Sequence, residues 1–470
     1  MHETVGKRTI VTEGAVAGAT AAAASAAPAP AAERWPAART AWYTMFVVAL
    51  SVLFANLDQN ILSLLVEPIK RDLGLSDTAM GLLLGPAFVL FYTFIGIPVA
   101  RFIDRNSRKL ILALGLAAWS LATACCGLAQ GFGSLFLARV GVGAGEAVNQ
   151  PATFSLIADS FRKERLPRAI AVMQLGVTAG AALAYYLGSV VIASLAHVPP
   201  LHVHGIGVIR SWQLVFVAVG LPGLAVALLM ATTLREPPRH GLEAQDAVRL
   251  SLLDVLGYLR THWRVFAPMF LGLTFGALSL GAGQWLAAFL HRTYGWDVLR
   301  IGSTIGAAQI IAMPIGLLIG VWLAEHFDRR HYEDAPLRVV VIAGLIRVPA
   351  SIAMPLMPAA WLAVACQALI YCTVGIGGAS QNAALQIITP NRMRGQVTAL
   401  YLFTFNVIGF GLGPLLTGFI TDHIFHAESD LRYALVLLSA IVAPLSLVFV
   451  WLGIRPYVRE VARLKSLALI

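Results

Sequence analysis

Three ionisable residues stand inside long apolar stretches, where charge is costly: Asp58, Arg139 and Glu146. Arg139 and Glu146 are seven residues apart, two helical turns, which sets them on nearly the same face of one helix. A carboxylate in hydrocarbon must face a protein interior or water. Burial favours its neutral form and a nearby arginine favours its charged form, and a group balanced between the two can load and unload a proton. The spacing therefore points to proton coupling by Asp58, Glu146 and Arg139. The plainer alternatives are a structural ion pair, or for Asp58 a packing contact with Asn56, Asn60 or a nearby serine. Arg347 is the single Lys or Arg within an apolar block of the second half. It can meet an anionic headgroup or snorkel to an interface.

Other chemistries find little support. Cys125, Cys126, Cys366 and Cys372 all lie in apolar blocks without metal-ligand spacing and read as space-filling residues. His202 and His204 have no clear third ligand. No phosphate-binding P-loop is present, and the Gly141, Gly143, Gly145 run is embedded in a membrane span. No metal and no cofactor is expected, with protons as the coupling ion.

The elements that must hold these residues follow from composition. Hydrophobic residues make up 58% of the 470-residue chain and charged residues 12%, against about 25% charged in soluble domains. The apolar residues fall into blocks of about 20, enough to cross roughly 30 Å of hydrocarbon. Twelve spans are read, near 41–66, 78–100, 110–130, 134–157, 168–195, 211–233, 265–290, 301–325, 337–356, 359–382, 394–420 and 431–453. The fold class is thus an all-α polytopic membrane protein of twelve transmembrane helices in two six-helix bundles. The formal charge of +10 does not indicate nucleic acid, because the cations sit in the breaks between spans. With both termini inside, 26 of the 34 Lys and Arg fall on the cytoplasmic side and 6 outside. That bias sets the orientation. The expected organisation is a disordered cytoplasmic tail at 1–40, a bundle at 41–233, a cytoplasmic linker at 234–264, a second bundle at 265–455 and a cytoplasmic tail at 456–470. A signal peptide at the start is disfavoured by the weak hydrophobicity of its alanines.

The halves echo each other. Gly96-x-x-x-Ala100-x-x-x-Asp104-Arg105-x-x-Arg108-Lys109 follows the second span, and Gly320-x-x-x-Ala324-x-x-x-Asp328-Arg329-Arg330 follows the eighth. Such a repeat implies a pseudo-two-fold axis along the membrane normal, the symmetry of rocking transporters. The segment Asp104–Lys109 resembles the signature loop of the major facilitator superfamily, with Ala100 and Ser107 where glycine is usual. Arg139-x-x-x-Gly143-x-Gly145-Glu146-Ala147, Asp58, the run Ile157–Phe161 and Arg235-Glu236-Pro237 resemble the Spinster-like branch. That branch commonly has Asp-Arg in the first helix, whereas this chain has Asp58-Gln59, so any role of the arginine does not carry over. The resemblance implies alternating-access transport of an amphiphilic lipid or lipid-like organic anion.

Aromatic and amide side chains near the expected midplane are candidates for a substrate cavity: Asn56, Phe88, Tyr92 and Tyr185 in the first half, and Gln284, Trp285, Gln309, Arg347, Gln381, Asn382, Tyr401 and Asn406 in the second. An apolar body with a few polar points suits an amphiphile. Asp104, Arg105, Arg108, Asp328 and Arg329 are candidates for a cytoplasmic gate. The expected function is proton-coupled secondary transport in the cell inner membrane by a functional monomer. The expected partners are the lipid bilayer and a small amphiphilic or organic-anion substrate, with no nucleic acid. A multidrug or organic-anion exporter is the alternative. An ion channel or an intramembrane enzyme is the remaining one, and no enzymatic activity is expected.

Overall fold

A computed structural model describes residues 35–103, 105–203, 207–239 and 252–467. Eleven helices in it are long and apolar enough to cross a membrane: Ala38–Leu64, Asp77–Ile103, Arg108–Cys126, Leu166–Leu195, Ser211–Thr233, Trp263–Tyr294, Val298–Arg329, Ala335–Leu356, Ala360–Ile387, Arg394–Phe425 and Glu428–Ser466. The remaining crossing, fourth in chain order, is made of two shorter pieces, Phe132–Glu146 and Asn149–Ser160. Pro151 explains the break: its ring collides with the carbonyl four residues back, that of Ala147, where the helix stops. Together these make the twelve transmembrane helices of a polytopic all-α protein. A short hairpin pairs Leu201–Val203 with Gly207–Ile209 between the fifth and sixth spans.

Each half packs in the same way. In the first half the first span lies against the fifth, the second against the fourth and the third against the sixth. In the second half the seventh lies against the eleventh, the eighth against the tenth and the ninth against the twelfth. Every pair is displaced by six spans, so the repeat in sequence is a repeat of packing. Between halves, the fifth span meets the eighth and the second meets the eleventh. These two contacts exchange under the same six-span shift, as a two-fold relation demands. The approach is close: a Cβ at Gly302 would stand 2.5 Å from the Tyr185 carbonyl oxygen. Only a residue without a side chain fits there.

With an even number of crossings, the two described chain ends share one face, called the termini face below; the opposite one is the far face. The last helix runs on through Ser466, so residues 456–466 of the expected tail are helical. Tyr457, Val461 and Leu464 in this extension are buried, with Tyr457 and Val461 in a cluster that includes Val255 of the linker helix Leu252–Thr261. The apolar stripe at helical spacing continues past the membrane because it has that helix to pack on. Of the linker, residues 240–251 lie outside the described residues, as do residues 1–34 of the expected tail.

Candidate functional site

The first span carries Asp58 at its middle, and Asp58, Arg139 and Glu146 are all buried, at 2%, 2% and 3% exposure. The structure brings the three together. Arg139 Nη1 donates to the Asp58 backbone carbonyl at 3.2 Å. Its guanidinium stands over the Phe88 ring, 5.3 Å from the centroid, and Phe88 stacks on Tyr92 at 5.5 Å. Tyr92 in turn donates to Gln150 at 3.3 Å. Glu146 accepts a short hydrogen bond from Gln59 Nε2. Asp58 Oδ1, Arg139 Nε and Glu146 Oε2 have no hydrogen-bond partner. A buried polar atom without a partner costs about 1–3 kcal/mol. Such an arrangement is held for something other than stability. Two carboxyls and one guanidinium carry a net negative charge when fully ionised, and one proton neutralises the group.

Gln59 was not among the residues singled out from sequence, although it sits at the position where the resemblance led one to expect arginine. It also lines a cavity of about 330 Å³ between the halves, with Asn56, Asn60 and Tyr185 of the first half and Gln284, Gln309, Gln367 and Tyr371 of the second. The Oε1 atoms of Gln284 and Gln309 are buried there without partners. Gln367 and Tyr371 on the tenth span are further additions. Their only sequence signal was polarity within an apolar run.

A second chamber, about 210 Å³, lies inside the second half and shares the walls Leu280 and Val374 with the first. It is lined by Arg347, Gln381, Asn382 and Tyr401. Arg347 Nη2 donates to Ser446 Oγ at 3.2 Å, and its Nε has no partner. Among the described residues, no carboxylate comes within ion-pair distance of it. Gln381 donates to the Tyr401 hydroxyl. Four of the cavity candidates line neither chamber: Phe88 and Tyr92 stand beside Arg139, and Trp285 and Asn406 stand on the seventh and eleventh spans. Trp285 is fully buried and lines neither chamber; its Nε1 donates to the Pro414 carbonyl at 2.9 Å. It joins the seventh span to the eleventh because an indole N–H in a core needs an acceptor. Asn406 is half-buried in a π-helical segment, Phe405–Gly411, and lines neither chamber.

The gate candidates are divided too. Asp104 lies outside the described residues. Arg108 is buried, and among the described residues its partners lie in the first half and at the start of the linker, none in the second half: Asp159, Glu236 Oε1 at 2.8 Å and the Pro237 carbonyl at 2.7 Å. Glu236 also accepts from Ser107 Oγ at 2.8 Å and Lys109 N at 3.1 Å. Partial burial pushes the Glu236 carboxyl up, but the donors on Arg108, Lys109 and Ser107 outweigh it and hold the carboxyl below its ordinary value. Arg105, Asp328 and Arg329 are exposed. Arg329 pairs with Glu325 one turn away at 3.1 Å.

The ion pairs that do cross between the halves are on the far face. Asp77 is completely buried and is held by Lys70 at 2.5 Å and by Arg292 at 2.7 Å. Arg292 also binds Glu67 at 2.7 Å, and Lys70 binds Glu428 at 2.8 Å. Asp422 accepts from the Thr78 hydroxyl at 2.6 Å and the Thr78 amide at 2.7 Å. In the sequence these residues read only as span-end charges. The far face is therefore locked by a network in which Lys70, Asp77 and Glu67 belong to one half and Arg292, Glu428 and Asp422 to the other.

The superfamily model of the Major Facilitator Superfamily matches residues 48–409. The chain belongs to the major facilitator superfamily. It is a membrane transporter of the Spinster-like kind within it. An MFS-type efflux pump of Mycolicibacterium smegmatis is 29% identical over 90% of this chain and 95% of its own. Protein spinster homolog 1 of Xenopus tropicalis is 28% identical over 76% of this chain and 69% of its own. A crystal structure of a bacterial homologue of the human lysosomal transporter Spinster, inward-facing and unoccupied, superposes with a TM-score of 0.74 at 26% identity, covering 92% of this chain and 99% of that one. The occupied inward-facing form of such a homologue gives a TM-score of 0.70.

Proposed function

We propose that the protein is a proton-coupled secondary transporter of an organic anion with an apolar body, working by alternating access. One observation carries the reading: Gln59 both lines the central cavity and donates to Glu146. A ligand that contacts Gln59 changes the hydrogen bonding of a buried carboxyl. A proton drives transport only when its affinity differs between the two facings, and this contact offers the route for such a difference.

The anionic end is assigned to Arg347, which has no acidic partner among the described residues and lines the adjoining chamber. Apolar groups such as Leu280, Val374 and Phe405 line the two chambers beside the amides, which favours an amphiphile over a free sugar acid. The names of several relatives bear on the choice. One relative is called an efflux pump, two are called hexuronate transporters and one a probable L-galactonate transporter. Organic anions are common to the latter three. The Lys and Arg bias supports a cytoplasmic termini face, and on that orientation the locked far face corresponds to an inward-facing conformation. A channel would need a continuous pathway, which the ion pairs across the far face interrupt.

Counterflow into proteoliposomes tests the substrate class. Alkyl phosphates and glucuronate are offered in parallel against the same preloaded alkyl phosphate. Saturable counterflow of the alkyl phosphate, lost in Arg347→Gln, supports the reading. Selective counterflow of glucuronate, or flux indifferent to Arg347, contradicts it.

A further inference from the structure

A third cavity, about 720 Å³, opens at the far face between the halves. It falls within the roughly 300–1,000 Å³ typical of small-molecule sites. Ser63 and Leu64 of the first span and Ala287, Ala288 and His291 of the seventh line it. On the same two helices, Asn60 and Leu286 line the central cavity. The two spaces therefore lie back to back along one path, separated by about one helical turn. The lock stands at this boundary, since Lys70, Glu67 and Glu428 are also in the vestibule wall.

The chemistry of the wall selects its ligand. The two carboxylates are already engaged, Glu67 with Arg292 and Glu428 with Lys70. Lys70 is 7% exposed and uses two of its three donors, on Asp77 and Glu428. Among the described residues, Asp72 at 3.8 Å is the one carboxylate paired with Arg71. His291 donates Nδ1–H to the Trp296 carbonyl, which leaves Nε2 of the neutral ring as an acceptor, while Lys70 keeps one N–H free and Arg71 most of its own. The unspent polar capacity is mainly that of donors, and facing it are apolar groups, Leu64, Ile192, Val298 and Ile301.

We infer that this vestibule is a second binding site for the anionic end of an amphiphile, the outer station of the transport path, distinct from the Arg347 chamber. The identity of the ligand rests on the proposed function. An anion on Lys70 competes with Glu428, a carboxylate whose side chain is 64% exposed and which belongs to the other half. Occupancy from the far side thus weakens the ion pair that holds the halves together.

The test is calorimetric titration of octyl phosphate into the full chain in neutral-lipid nanodiscs, with empty nanodiscs subtracted. The wild type is expected to bind two equivalents. Ile192→Glu, which places a carboxylate on the vestibule wall, is expected to weaken one of them by about tenfold or more, the scale of one charge-assisted hydrogen bond. Val298→Glu repeats the test on a second wall residue should Ile192→Glu fail to fold. Arg347→Gln is expected to remove only the other equivalent. A single equivalent that disappears in Arg347→Gln and survives both vestibule variants overturns the outer site and leaves the inner reading standing. A single equivalent lost only in the vestibule variants supports the outer site and overturns the inner one. No binding at all, or equal binding of octyltrimethylammonium at the vestibule, overturns the assignment of an anion site there.

Discussion

Gln59 Nε2 on the first span donates to Glu146 on the fourth, and the same Gln59 side chain forms part of the cavity wall. A neutral amide here, in place of a guanidinium, leaves Glu146 free to change its protonation state. Arg139 is the nearby fixed charge, and it spends Nη1 on the Asp58 backbone, not on either carboxyl. Gln59→Arg should pin Glu146 in its charged form, since an adjacent opposite charge favours ionisation. Accumulation driven by a pH gradient is expected to fall by about tenfold or more, while equilibrium exchange survives; one unit of pKa change corresponds to about a factor of ten in proton affinity. Parallel measurements of driven uptake and exchange in proteoliposomes check this.

The far-face lock sets the resting conformation. Asp77 is fully buried between Lys70 and Arg292. Removing one member of a buried ion pair costs about 3–5 kcal/mol. Asp77→Asn should therefore shift the population strongly toward the form open at the far face. Reactivity of a cysteine placed at Asn60, on the central cavity wall behind the lock, toward an impermeant reagent added at the far face reports it, with faster labelling in the variant.

Arg108 and Glu236 clamp the first half at the termini face. The Glu236 carboxyl is held below its ordinary value of 4.5. Its contribution to stability is thus present above that value and is lost as pH falls through the lowered one. Glu236→Gln should melt earlier than the wild type at pH 7, with the difference shrinking toward pH 3.5. Thermal midpoints in detergent across that range check the sign.

Trp285 gives a contrast with the cavity residues. Trp285→Phe removes the donor to the Pro414 carbonyl and leaves a buried acceptor unsatisfied, at a cost of about 1–3 kcal/mol. The expected outcome is lower thermal stability with unchanged substrate selectivity. Altered selectivity at unchanged stability would return Trp285 to the cavity wall.

Much of this was legible in the sequence because membranes impose strong patterns. Hydrocarbon thickness fixes span length, and charge placement marks the breaks. The Gly96 and Gly320 repeats announced the two halves. Asp58, Arg139 and Glu146 were visible because charge within an apolar block is conspicuous, and the structure brings them into one group. What stayed hidden was polarity whose meaning depends on a partner far along the chain. Gln59 is an ordinary polar residue until Glu146, 87 positions on, faces it. Asp77 and Arg292 looked like loop charges because nothing local shows that they meet across 215 positions. Trp285 misled for the opposite reason: its size suggested a ligand contact, while its acceptor at Pro414 lay on another span.

The central claim is that the buried acids couple a proton to transport, and Asp58 tests it most directly. Asp58 is 2% exposed with Oδ1 unpartnered, so Asp58→Asn keeps the shape and removes the titration. Octyl phosphate flux is measured in proteoliposomes with and without an imposed pH gradient, for the wild type and for Asp58→Asn alone and with Glu146→Gln. The gradient is expected to drive accumulation in the wild type, with Asp58→Asn abolishing it and retaining gradient-independent exchange. Undiminished gradient-driven accumulation in the single and double variants would contradict the account.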